Sequence, residues 1–322
     1  MKKEIGGYFE LEEMSGSEYY PDLYKVNLGR TALLWLLESR KYSKIFLPVY
    51  LCRSVIDSCL QNNIDVEYYN LDADLNILLE ERKLEDFECL YLVSYYGQLS
   101  DESILKYKEI YGNIIVDHTH AFFQKPLKGT DTIYSCRKYW GVSDGAYLAT
   151  DVKLADNKPI DVSAGRLSHI LGRYDEDAGK YYSAMLANAH GYDGMEIRRM
   201  SRLTENLLKG IDYNKSKIQR ENNYSLLKTL LPSDSVFNRI TPEGPFAYPY
   251  YCKGGIELRR WLAEHKIFVP TYWKNITEEF DKNSLEYQWA ANILPLPCDQ
   301  RYGEEEMKYM AAMIREWEAA AQ

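Results

Sequence analysis

Between Lys44 and Thr150, short apolar runs alternate with segments whose apolar residues recur at helical spacing, and this alternation constrains the fold more than any other feature. KIFLP (44–48), DVEYYNL (65–71), CLYLVSY (89–95), Ile114–Val116, Thr132–Cys136 and AYLAT (146–150) read as strands. Between them, CRSVIDSCLQNN places Val55, Ile56, Cys59 and Leu60 on one side of a helix. A second helix, capped by Ser100, turns Ile104, Leu105 and Ile110 inward. Ahead of the first strand, GRTALLWLLESRKY carries a wide leucine face from Gly29 onward. Strand and helix in alternation predict an α/β fold, three layers deep, with a mostly parallel sheet and helices on both faces.

Beyond Asp151 the pattern changes to a long polar and helical region, about 164–231, and then to LPSDSVFNRITPEGP, whose prolines break helix. The chain accordingly divides into an N-terminal arm (1–28), with GGYFELE extended, a large domain (29–231) and a small C-terminal α+β domain (232–322). The last is read as strand 247–252, helix 256–265, strand 267–270 and a closing helix from Gly303. No repeats or low-complexity tracts are seen.

A carboxylate and an amine mark one edge of the sheet. Ile114–Val116 delivers Asp117 at a strand's carboxyl end, and Thr132–Cys136 delivers Arg137 and Lys138 at the end of another. Ligands of open α/β sheets lie outside those ends. An acid beside a lysine is what pyridoxal phosphate chemistry requires: the acid keeps the pyridine nitrogen protonated, and the amine holds the aldehyde. The start of the leucine-rich helix, Asn27 to Thr31, suits a phosphate, since Asn27 or Thr31 caps the first turn and Gly29 allows close approach. Each residue also has a plainer reading: Lys138 as a solvated charge, Asp117 as a loop cap, Arg137 as half of a structural ion pair.

Other classes find less support. With 39 basic against 48 acidic residues the net charge is −9, unfavourable for nonspecific contact with nucleic acid or anionic membrane. No apolar run approaches the roughly 20 residues of a membrane span. The start MKKEIGGYFELEE lacks a signal-peptide core. Six scattered cysteines without a CxxC read as buried thiols of a soluble cytoplasmic protein. GxGxxG, Walker and nucleophile-elbow motifs are absent. His118 and His120 admit a metal reading, but no further ligand cluster supports it, so no metal is expected.

The motifs resemble those of the DegT/DnrJ family of sugar aminotransferases, fold type I pyridoxal phosphate enzymes. The likeness is carried by VSYYGQLSDESI, IIVDHTHAFF, YSCRKYWGVSDGAYL, RRMSRLTENLLKGID and LPLPCDQRYGEEEM, over nearly the whole chain. It implies Lys138 as the Schiff-base lysine, Asp117 as partner of the pyridine nitrogen and His120 near the ring hydroxyl. Ser135, with Gly29 and the amides of Arg30 and Thr31, would hold the phosphate. It further implies amino transfer from glutamate or glutamine to a nucleotide-linked keto-sugar, by a cytoplasmic homodimer. A lyase, a dehydratase-like enzyme or a noncatalytic sugar-nucleotide binder of the same fold is the alternative; the family's dehydratases carry histidine in place of the lysine. Three departures mark a short, divergent member. Cys52 occupies the place of an aromatic that stacks on the ring, leaving Tyr50 or Tyr95 to serve. Ser135 and Lys138 are closer in sequence than usual, and Asp193 replaces an asparagine.

Overall fold

The computed structural model describes residues 5–155 and 157–320. The arm's first four residues lie outside them; residues 5–13 are exposed and without regular structure, so GGYFELE joins no sheet. In chain order, β1 (Tyr24–Val26) leads into α1 (Gly29–Arg40), β2 (Lys44–Pro48), α2 (Arg53–Gln61), β3 (Asp65–Leu71), β4 (Ile77–Leu78) and β5 (Glu88–Val93). Next come α3 (Asp101–Tyr111), β6 (Ile114–Asp117), β7 (Asp131–Ser135) and β8 (Ala146–Ala149). These eight strands form one sheet in the order β1-β8-β7-β6-β5-β2-β3-β4. The β3-β2-β5-β6-β7 run is parallel, while β8 lies antiparallel to both β7 and β1, and β4 antiparallel to β3.

Alternation along the strands sorts side chains into two cores. Cys89, Tyr91, Ile115 and Ile133 face the helices α1 and α2, whereas Leu90, Leu92, Ile114, Val116 and Tyr134 face an aromatic core shared with α3. The three-layer, mostly parallel α/β fold expected from the sequence is therefore present. The antiparallel return into β8 passes through Gly145 at φ +118, where an added Cβ would lie 3.0 Å from Thr204 Cγ2 and 3.1 Å from Cys136 Cβ.

The helical region resolves into α4 (Ser168–Asp175), α5 (Tyr182–His190), α6 (Arg202–Lys209) and α7 (Tyr213–Leu230). The remainder is β9 (Tyr248–Tyr251), α8 (Gly255–Glu264), α9 (Lys274–Glu279), α10 (Leu285–Asn292), β10 (Ile293–Leu296) and α11 (Glu304–Ala320). β9 and β10 pair antiparallel over a third core, to which α7, α8 and α11 contribute Leu227, Leu258 and Ile314. The strand expected at 267–270 does not form. Lys266 turns into the left-handed region at φ 63, and the Ile267 amide donates back to Leu262 O to close α8. The edge of β9 is taken instead by β10, which begins the LPLP segment ahead of the last helix.

All six cysteines are free, five of them buried. Among the described residues no helix is long and apolar enough to cross a membrane, and no group of three potential metal ligands occurs.

Candidate active site

β6 ends in Asp117, which is buried. Its Oδ1 accepts the Thr119 amide at 2.8 Å, an Asx turn, so the loop-capping role is realised; its Oδ2 accepts the Tyr91 hydroxyl at 2.8 Å. Burial first, and then the Asp117 charge, push the Tyr91 phenol far up, so it remains a donor. Each carboxylate oxygen keeps a free lone pair. Tyr91, Ile115 and Ile133 belong to the α1 side of the sheet, and by alternation Asp117 and Ser135 project to that side too.

β7 runs into a single 3₁₀ turn, Cys136–Lys138. Ser135, still extended, immediately precedes that turn, so the short Ser135–Lys138 spacing keeps both residues at one strand tip. Lys138 Nζ donates to Thr119 Oγ1 at 3.0 Å and has no acidic partner among the described residues. Thr119 thus bridges Lys138 and Asp117. The lysine is accessible to solvent, while neighbouring protein crowds its amine. Desolvation there lowers its proton affinity, opposed by Asp117 and Cys52 and aided by Arg137.

α1 begins without a side-chain cap, contrary to expectation. Asn27 is otherwise engaged: its Oδ1 accepts the Thr31 hydroxyl at 2.6 Å and its Nδ2 donates to Asp161 at 3.2 Å. The first intrahelical bond is donated by Ala32, so the amides of Gly29, Arg30 and Thr31 precede the ladder. Gly29 packs toward the strand tips, where an added Cβ would touch Ile133 and Thr119 at 3.6 and 3.7 Å.

His120 is buried and stacked on Phe246, with ring centroids 4.2 Å apart, and accepts the Tyr96 amide at Nδ1. Burial and then Lys138 hold its proton affinity well below that of free imidazole. Tyr50 and Tyr95 do not offer a stacking face. Both are buried, packed against Trp273, and the Tyr95 hydroxyl donates to Tyr50 O. Half-buried Cys52, at the start of α2, remains the side chain near Lys138 on that side.

Two residues escape a reading of the sequence alone. Thr119 lies within IIVDHTHAFF, two residues beyond Asp117, and its bridging position follows from an Asx turn. Arg220 leaves no sequence signal: buried on α7, it donates to Pro245 O at 2.9 Å, Tyr139 O at 3.2 Å and Gln300 Oε1 at 2.7 Å. It thereby fixes the chain around Phe246.

An amine without an acidic partner among the described residues, a buried carboxylate reaching it through one threonine, and an uncapped helix start packed against the same strand tips suit a pyridine aldehyde bearing a phosphate. The strand order of this sheet and the helices flanking it are a fold shared with solved aminotransferase structures. No family model and no curated protein matches the sequence. Among solved structures, the chain is similar to a DegT DnrJ EryC1 StrS aminotransferase from Brucella abortus, at 14% identity and TM-score 0.56, covering 92% of this chain and 85% of that one. It is similar to the PLP form of Spr1654 from Streptococcus pneumoniae, described as a sugar aminotransferase, at 13% identity and TM-score 0.60 over 91% and 86%. DesI, solved in the presence of its TDP-sugar product, matches at 12% and 0.60 over 91% and 79%. At these identities the comparison establishes the shared fold.

Proposed function

We propose that the protein is a pyridoxal phosphate-dependent aminotransferase that moves an amino group from an amino acid, glutamate or glutamine, to a keto-sugar, one linked to a nucleotide. The observation that carries this reading is the Lys138 amine, which among the described residues bonds to Thr119 and is joined through it to Asp117 at the carboxyl edge of the sheet. When bound, the cofactor supplies an aldehyde conjugated to an electron sink. Asp117 is the acceptor for the ring nitrogen's proton. Ser135 and the first amides of α1 would hold the cofactor's phosphate, and His120 would contribute to the wall of the ring site. Lys138, its proton affinity already lowered by desolvation, takes a proton from the substrate carbon and returns it. A second copy of the chain would cover apolar side chains such as Tyr8, Phe9, Tyr174 and Tyr182, which is the support for a homodimer.

The test is an absorbance scan of the pure protein, with added cofactor, before and after glutamate. The expected result is a visible band that glutamate converts to the amine form and that Lys138→Ala removes. A protein that stays colourless with added cofactor overturns the reading. Cys52 in place of a stacking aromatic favours one second reading, a noncatalytic sugar-nucleotide binder, for which the band would be absent or indifferent to every amino donor.

A further inference from the structure

The outer edge of the sheet carries a cavity of about 430 Å³, a size in the range of small-molecule sites. β1 closes the sheet on that side and is separated from β7, the strand that leads to Lys138, by β8. Tyr24 lies opposite Leu148, and Leu148 opposite Ile133, so the Leu23–Lys25 stretch sits below the level of Ser135, toward the amino end of β7. Past β1, Arg199 bridges both Val26 and Ile160 and extends the sheet by one more short segment. Leu23, Tyr24, Trp35, Leu154 and Ile160 give the cavity apolar walls. Two donors in those walls are unused. Trp35 is 3% exposed, and its indole Nε1 is buried with no hydrogen-bond partner. The Tyr24 hydroxyl accepts the Leu154 amide at 3.4 Å, and its own proton goes to no acceptor among the described residues. The rim is basic, with Lys25, Lys153 and Arg199 against Glu205. Glu18 and Glu205 hold Lys25 at 2.6 and 3.3 Å, whereas exposed Lys153 makes no ion pair among the described residues.

A buried donor without an acceptor is costly, and a carboxylate that reaches it forms a charge-assisted bond. We propose that this cavity is a second ligand site, one for a small amphipathic carboxylate. An aryl or alkyl body lies between the apolar walls, and the carboxylate oxygens accept from Trp35 Nε1 and the Tyr24 hydroxyl. The flexible stem of Lys153 lets its ammonium follow the carboxylate inward from the rim. One unpaired ammonium and two neutral donors match a single negative charge, which favours a carboxylate over a doubly charged phosphate. The site stands on the cavity and its donors and does not require the aminotransferase reading.

The experiment is titration of the full chain, isotope-labelled at tryptophan, with phenylacetate, phenethyl alcohol and phenethylamine, followed by NMR of the six indole N–H resonances. The resonance missing from Trp35→Phe is that of Trp35. Phenylacetate should move it downfield saturably, phenethyl alcohol should bind more weakly, and phenethylamine should not bind. In calorimetry, Trp35→Phe should weaken phenylacetate about tenfold or more, the loss of a hydrogen bond to a charged group. Lys153→Gln should weaken it by up to about fivefold, since the pair it removes is exposed. Ala155→Phe, which adds a ring at an exposed position of the lining, should abolish binding and tests the site even if Trp35→Phe fails to fold. Repeating the titration with saturating pyridoxal phosphate separates this site from the strand-tip edge. The Trp35 shift should persist there, and a failure of the aminotransferase reading leaves that result unchanged. A Trp35 resonance that none of the probes moves, the outcome if water alone serves Nε1, overturns the proposal. So do equal binding of phenethylamine, unaltered binding by Ala155→Phe, and displacement of phenylacetate by pyridoxal phosphate.

Discussion

His118 should make this protein acid-labile by a calculable amount. Its ring is 1% exposed, lies edge-on to Tyr134, and neither nitrogen has a hydrogen-bond partner; the Gln124 backbone is near but outside bonding geometry. Burial lowers its pKa from 6.5 to about 4, against the opposing charges of Asp117 and Asp101. The fold therefore excludes a proton that the unfolded chain binds below 6.5. Stability is lost as pH falls from 6.5 toward 4, and the loss levels off below that. At about 1.36 kcal/mol per pH unit, the interval limits the penalty to roughly 3 kcal/mol, of which about 2 kcal/mol is reached between pH 8 and pH 5. The assay is urea unfolding followed by tryptophan fluorescence from pH 8 to pH 5, for the wild type and His118→Leu. Leucine also removes two unpartnered polar atoms. His120 and His169, likewise depressed, are present in both proteins, so their contributions cancel in the comparison. The variant should lose about 2 kcal/mol less than the wild type over that range. Parallel pH profiles would refute the reasoning.

Two further perturbations probe the support of the site. Tyr91→Phe deletes the donor to a buried carboxylate and should cost roughly 1.5–3 kcal/mol in unfolding free energy; an unchanged denaturation midpoint would show that Asp117 finds another donor. Arg220→Met removes one donor each from Tyr139 O, Pro245 O and Gln300 Oε1 and should cost on the order of 2–4 kcal/mol through unsatisfied buried acceptors, so a loss below about 1 kcal/mol in the same assay would contradict its anchoring role.

How far the sequence could be read depended on range. Strands β2, β3, β5 and β6 were legible because apolar runs of strand length alternate with helical periodicity, and Ser100 announced α3 with a cap that the structure retains. The strand expected at 267–270 failed because two edges competed for β9, and the Ile267 amide had a local use that apolar composition does not reveal. Asn27 and Thr31 were good capping types, but Asp161, far along the chain, claimed the asparagine. Tyr50 and Tyr95 had the right chemistry for stacking and were drawn into an aromatic core around Trp273 instead.

By itself the sequence determined the layered α/β architecture and the delivery of Asp117 and Lys138 to strand ends, because period, breakers and caps act over a few residues. Only the tertiary structure decided that Thr119 joins those two groups, that Tyr91 holds the carboxylate, and that Arg137 lies over the Tyr192 ring with Arg30 on Asp193 beside it. Those contacts link residues up to 163 positions apart, and which of many compatible partners meet is fixed by packing, not by local pattern.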